Sequence, residues 1–234
     1  MIFYKLYLLL GLLEVTLEYL EIQRGVLLIK PLLMPMLFFA VKCDNGFGLT
    51  TQRLVLFALF FSWIGDVLLM FESAHQIFFI LGLLGFLGAH LLYIASLRAD
   101  IDRYHLKSFK GVFGVVLMLG LLVLLTTYFE AKGNANYQGL LRLAVPIYSI
   151  VLGSLVVCSA NQKTSSNTGG VLLFSGALLF MLSDMLIALG AFSSSINFVG
   201  VGFRSALIMF TYILAQFLIV RGLLAKEENR SMLI

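Results

Sequence analysis

Charge is what this sequence has least of. Asp, Glu, Lys and Arg make up 12% of its 234 residues against 61% hydrophobic side chains, too little polar surface to coat a water-soluble globule. There are two cysteines, Cys43 and Cys158. They fall near the cytoplasmic ends of the second and sixth apolar runs, where no disulfide is expected, and two thiols alone make no metal site. The three histidines, His75, His90 and His105, stand 15 residues apart, so none is paired on one helical face and the zinc-hydrolase pattern is missing. No Gly-x-Ser-x-Gly string marks a serine nucleophile. Ser62 and Ser183 lie near acids, but Ser183 directly precedes Asp184, and adjacent side chains on a helix diverge by ~100°. The net charge of +4 needs no nucleic acid, because basic residues also set topology and meet anionic lipid headgroups. No metal and no cofactor are implied.

Long apolar runs are what the chain has in abundance. Eight of them, near residues 3–21, 25–41, 53–72, 76–97, 111–129, 139–160, 169–191 and 202–223, are long enough to cross the ~30 Å hydrocarbon core as helices. Linkers such as "KCDNGFG" (42–48) and "NQKTSSNTGG" (161–170) carry turn chemistry and leave no room for a folded extramembrane domain. The expected fold is all-α, a polytopic bundle of eight transmembrane helices forming one integral membrane domain over residues 1–234. The first run begins near Lys5 and could pass for a signal peptide, but Glu14 and Glu18 interrupt it and no small-residue cleavage site follows. It reads as a retained helix. Eleven Lys and Arg on one set of loops and ends, against five on the other, put both termini in the cytoplasm. Short loops without a retrieval signal point to a bacterial inner membrane.

Two of the runs hold an aspartate in similar strings, "FSWIGDVLLM" (61–70) and "FMLSDMLIAL" (180–189). Tyr93 follows Asp66 by 27 residues and Tyr212 follows Asp184 by 28, while "KPLLMP" (30–35) has a loose counterpart in "RLAVP" (142–146). Two parallel four-helix halves with equivalent aspartates would give this pattern. So would chance similarity between apolar helices. An ionisable group at the centre of a membrane helix costs ~2.5–3.5 kcal/mol on insertion scales, so each needs a reason. Counting from the outer helix ends, Asp66, Asp184 and Glu14 all lie about 10 Å deep. Lys30 enters from the same side and Arg204 opens the last run, so three carboxylates and two cations converge on one layer. Plainer readings stand beside this one. An aspartate can simply pair with Lys30, Lys30 can snorkel outward, and Glu14, Glu18 and Glu21 share a face that can line the bundle. His90 can bridge two helices, and Gly82, Gly85 and Gly88 suit close helix packing.

"WIGD" (63–66) gives a partial echo of intramembrane aspartyl proteases, with Trp63 where their first glycine belongs. A fuller match is carried by "KPLLMPM" (30–36), "FSWIGDVLLM" (61–70), "GLLGFLGAHLLYI" (82–94), "FSGALLFMLSDMLIAL" (174–189) and "TYILAQFLIVRG" (211–222). In that order and spacing the chain resembles the YhhN-type membrane lysoplasmalogenases. The resemblance implies hydrolysis of the vinyl ether bond of a lysoplasmalogen to a fatty aldehyde and glycerophosphoethanolamine or glycerophosphocholine. A vinyl ether hydrolyses when its β-carbon is protonated, giving an oxocarbenium ion that water captures, so the slow step needs an acid. Asp66 and Asp184 are the expected catalytic pair, sharing one proton that the protonated member donates while the ionised member stabilises the cation. Lys30 and Arg204 are expected to hold the substrate phosphate, and His90 and Tyr93 to line the cavity or tune the acid. Glu14, Tyr148, Tyr212 and Gln216 complete the expected substrate site. The expected partners are the lysophospholipid and the bilayer; nothing in the residues names an oligomeric state. A small proton-coupled transporter or lipid translocator would use the same paired acids, and a purely structural bundle would bury them as ion-pair partners.

Overall fold

In a computed structural model of the chain, residues 2–97, 120, 138–162, 167–192 and 200–231 are described. They form seven helices: α1 (Ile2–Tyr19), α2 (Gln23–Lys42), α3 (Leu49–Leu69), α4 (Gln76–Leu97), α5 (Gln138–Ala160), α6 (Asn167–Phe192) and α7 (Val201–Ser231). The expected count was eight. The run at 111–129 lies outside the described residues, among which there is no β-strand. Five helices, α2, α3, α4, α6 and α7, are long and apolar enough to cross a membrane.

The distribution of side chains is the reverse of a soluble protein's. Leu9, Leu12, Leu28 and Ile150 point outward, Leu28 with 71% of its surface exposed, while Glu14, Ser62, Asp66, His90, Asp184 and Gln216 are buried. Apolar groups outside and polar groups inside suit hydrocarbon as solvent. The chain is a multi-pass membrane protein.

Among the described helices, each packs on the next and α7 returns to α1, closing a ring. Two of the helix pairs are drawn close by glycine. A Cβ on Gly85 of α4 would lie 3.0 Å from both Gly65 N and Phe61 O of α3; one on Gly176 of α6 would lie 2.9 Å from Ile219 N of α7. Only a residue without a side chain permits such backbone approach. One pair carries Asp66 and the other Asp184. In α2, Pro35 has no N–H to give the carbonyl of Pro31, four residues back. The Trp63 indole N–H of α3 donates to that carbonyl at 3.0 Å.

Both ends of the bundle are tied. Glu21 takes a left-handed backbone conformation with φ 58° in the α1–α2 turn, and its Oε1 accepts the Gly202 N–H at 3.1 Å, fixing the first turn of α7. Gly202 sits where a Cβ would meet Tyr19 O at 2.6 Å. At the opposite end, Tyr4 Oη donates to Asp44 Oδ2 at 3.3 Å and Thr51 Oγ1 donates to Glu227 Oε1 at 2.6 Å. The second contact explains why α7 runs past the expected boundary at 223 to Ser231: "AKEENRS" is polar but made largely of good helix formers, and Lys226 is buried there.

Candidate functional site

Side chains that reach across the centre of the ring build the site. Asp66, in the last turn of α3, is buried, and its Oδ2 accepts from Tyr212 Oη of α7 at 2.8 Å. One turn deeper the same helices meet again: Gln216 Nε2 donates to Ser62 Oγ at 2.9 Å, and Tyr93 Oη of α4 donates to Gln216 Oε1 at 2.5 Å. Residues 62 and 66 lie one turn apart on α3, as do 212 and 216 on α7, so the two rungs stack. Neither helix is the other's neighbour in the ring. Long polar side chains close the gap, and the polar groups of the two rungs become one another's partners.

Asp184 of α6 has its own surroundings. Tyr148 Oη of α5 donates to its Oδ2 at 2.6 Å, and His90 Nε2 of α4 lies 3.4 Å from the same oxygen without hydrogen-bond geometry. The His90 ring packs edge-on against Phe180 and Tyr148, with centroids 4.5 and 5.5 Å away. Phe180 in turn meets Phe86 and Tyr212, so one aromatic cluster links the environments of the two acids. The charge of Asp66 acts on Asp184. Among the described residues they share no hydrogen bond; each accepts from a different tyrosine.

A cavity of about 470 Å³ opens at the end of the bundle opposite the ties to Asp44 and Glu227. Of the expected site residues, Lys30, Asp66, Arg204 and Tyr212 line it, together with apolar side chains that include Phe86, Ile208 and Met209. Asp184, His90, Tyr93, Tyr148 and Gln216 lie behind that wall. Lys30 does not pair with Asp66: its Nζ donates to Glu18 Oε1 at 3.0 Å. Arg204, whose guanidinium lies against Gly190 of α6, joins no ion pair among the described residues. Glu14 is buried beside Lys30 and Glu18, and among the described residues neither of its carboxylate oxygens has a hydrogen-bond partner. Ser183 lines the cavity, but its hydroxyl donates to Ile208 O at 3.3 Å, and among the described residues it bonds no carboxylate or imidazole. Among the described residues no three His, Cys, Asp or Glu side chains are grouped to hold a metal ion.

Sequence reasoning missed the aromatic link of Phe86 and Phe180 and the cavity-lining Glu72. The two phenylalanines sit in apolar runs where every residue looks alike, and Glu72 stands at a helix end, where a carboxylate at the headgroup level draws no notice. The pairing of Lys30 with Glu18 was legible only as a stripe of glutamates facing inward.

The arrangement places a carboxyl on the wall of a cavity lined by both polar and apolar side chains, two of them cationic. Lysoplasmalogenase TMEM86A of Bos taurus is 30% identical to this chain over 201 residues, 81% of this chain and 74% of that protein. No solved structure matches. The profile of the YhhN family matches residues 26–223, which takes in Lys30, Asp66, Asp184, Arg204 and Tyr212. Over most of its length, therefore, and with both buried aspartates inside the match, the chain belongs to the YhhN family.

Proposed function

We propose that this protein hydrolyses the vinyl ether bond of lysoplasmalogens. The observation that carries the reading is Asp66 on the wall of a partly apolar cavity, held by Tyr212, with Lys30 and Arg204 on the same wall. Family membership and the similarity to a lysoplasmalogenase support it.

In this reading Arg204 and Lys30 anchor the phosphate. Lys30 is half neutralised by Glu18, which leaves Arg204 the stronger anchor. The Asp66 proton passes to the β-carbon of the vinyl ether: the carbon–carbon π pair forms the new C–H bond, and an oxygen lone pair gives the oxocarbenium ion. The carboxylate left on Asp66 faces that cation and stabilises it. Water adds to the cationic carbon and returns a proton to Asp66. The hemiacetal then collapses, its hydroxyl proton passing to the ether oxygen. One vinyl ether and one water give one aldehyde and one alcohol. Asp184 acts from behind the wall, where Tyr148 holds its carboxyl and the His90 ring packs beside it. We also place the protein in a bacterial inner membrane, with the termini cytoplasmic and the cavity opening on the other side.

The test is aldehyde release from choline and ethanolamine lysoplasmalogens by the detergent-purified full-length protein, with a chelator in every assay. Loss of a general acid removes about 10²–10⁴ in rate, so Asp66→Asn should lose at least about a hundredfold and Asp184→Asn less. An unchanged rate in folded Asp66→Asn removes Asp66 from the chemistry. No aldehyde from folded wild-type protein with either headgroup overturns the hydrolase.

A further inference from the structure

The rim of the cavity carries a carboxylate that the chemistry above does not use. Glu72 lies in the turn between α3 and α4, and that turn is fixed by its own hydrogen bonds: Phe71 N–H donates to Leu68 O at 3.0 Å, Glu72 N–H to Leu69 O at 3.2 Å and Ala74 N–H to Phe71 O at 3.0 Å. The segment continues the helix as a tight turn, so Glu72 has a defined place. Its side chain is exposed and lines the cavity with Lys30, Arg204, Ser73 and Gln76. The enclosing wall pushes its carboxyl above the usual carboxylate range, while Lys30 and Arg204 pull it down.

The balance of charge along the wall defines what fits. Lys30 already has Glu18 at 3.0 Å. Among the described residues, Arg204 and Glu72 each have no ion pair within 4 Å. Among the described residues, one cation and one anion without ion pairs therefore line the same cavity. A ligand with a lone anionic group would gain from Arg204 and be repelled by Glu72; a ligand with an anion and a cation side by side gains from both. The order of groups also fits. Arg204 lies in the first turn of α7 and Tyr212, which holds Asp66, lies eight residues deeper on the same helix, while six residues at ~1.5 Å each place Glu72 about 9 Å beyond Asp66 toward the mouth. In a choline or ethanolamine lysolipid the reacting ether, the phosphate and the ammonium follow one another in that sequence.

We propose that Glu72 binds the headgroup ammonium, taking the choline or ethanolamine nitrogen while Arg204 and Lys30 hold the phosphate, so that the site selects zwitterionic over anionic lysolipids. This rests on the reading of the cavity as a lysoplasmalogen site. The test needs no turnover. Binding of a saturated alkyl-ether lysolipid with a phosphocholine headgroup is measured calorimetrically on the full-length protein, beside the same alkyl chain bearing a phosphate monoester. Wild-type protein should prefer phosphocholine by about fivefold. Glu72→Gln should erase that preference mainly by weakening phosphocholine, Glu72→Asp should restore part of it, and Glu72→Lys should reverse it. An equal phosphocholine-to-phosphate ratio in wild type and Glu72→Gln, both eluting as single folded species, overturns the proposal. Because neither lipid can be hydrolysed, the two readings fail separately. Headgroup selectivity without aldehyde release would remove the hydrolase and keep a zwitterion site. Aldehyde release with an unmoved ratio would remove Glu72 alone.

Discussion

Tyr93 and Tyr212 follow the two aspartates at nearly the same distance in sequence, and an internal repeat would give each tyrosine to the acid of its own half. The fold assigns them otherwise. Tyr212 crosses from α7 to Asp66 on α3, whereas Tyr93 donates to Gln216 and Asp184 takes Tyr148. A buried carboxyl needs a donor from whatever helix stands opposite, and sequence offsets say nothing about which helix that is. The acids themselves were legible, because a charge inside an apolar run is conspicuous; their partners were not, because tyrosine is unremarkable in a membrane helix. The difference can be measured. Tyr212→Phe removes the hydrogen bond to Asp66 and should lower aldehyde release about tenfold, whereas Tyr93→Phe should leave the rate within about threefold and cost about 1 kcal/mol of stability. Equal effects of the two on rate would remove Tyr212 from the proposed chemistry.

Helix positions were easy to read where hydropathy changes sharply, and α4 matches its expected bounds of 76–97 residue for residue. They were harder to read where a helix continues into polar sequence. α3 begins at Leu49 rather than 53, through "LTTQ", and α7 extends to Ser231, since apolar windows are blind to helix formed by polar residues packed on a neighbouring loop. How closely two helices approach is set by glycine. The expectation that Gly82, Gly85 and Gly88 allow close packing of α4 agrees with the contact at Gly85, whose absent Cβ would meet the α3 backbone at 3.0 Å. Backbone cannot yield as a flexible side chain can, so Gly85→Ala must push α3 and α4 apart. Overpacking of this kind costs about 1–3 kcal/mol, and the shift falls at Gly65, next to Asp66. Gly85→Ala should therefore lower the melting temperature in detergent and reduce aldehyde release together. A variant with unchanged melting temperature would show that the helices can separate without strain.

For the molecule as a whole, composition already implied a membrane protein, and the inverted distribution of side chains, leucine outward and carboxylates inward, agrees with it. No reading of hydropathy could have shown that the helices close into a ring with the acids reaching across its centre. Orientation is open to a direct test. Cys43 is exposed at the same end as the ties to Asp44 and Glu227, so with cytoplasmic termini a membrane-impermeant maleimide applied to intact cells should leave it unlabelled in a Cys158→Ser background and label it after permeabilisation. Labelling of intact cells would reverse the orientation and turn the cavity toward the cytoplasm. The hydrogen bond by which Trp63 replaces the N–H missing from Pro35 has a practical consequence of its own. The chain contains a single tryptophan, and its indole grips the carbonyl of Pro31, the residue that follows Lys30. Indole emission depends on local polarity and hydrogen bonding, so the protein carries an intrinsic fluorophore coupled to the segment that bears Lys30, and events at that segment become visible without any attached label.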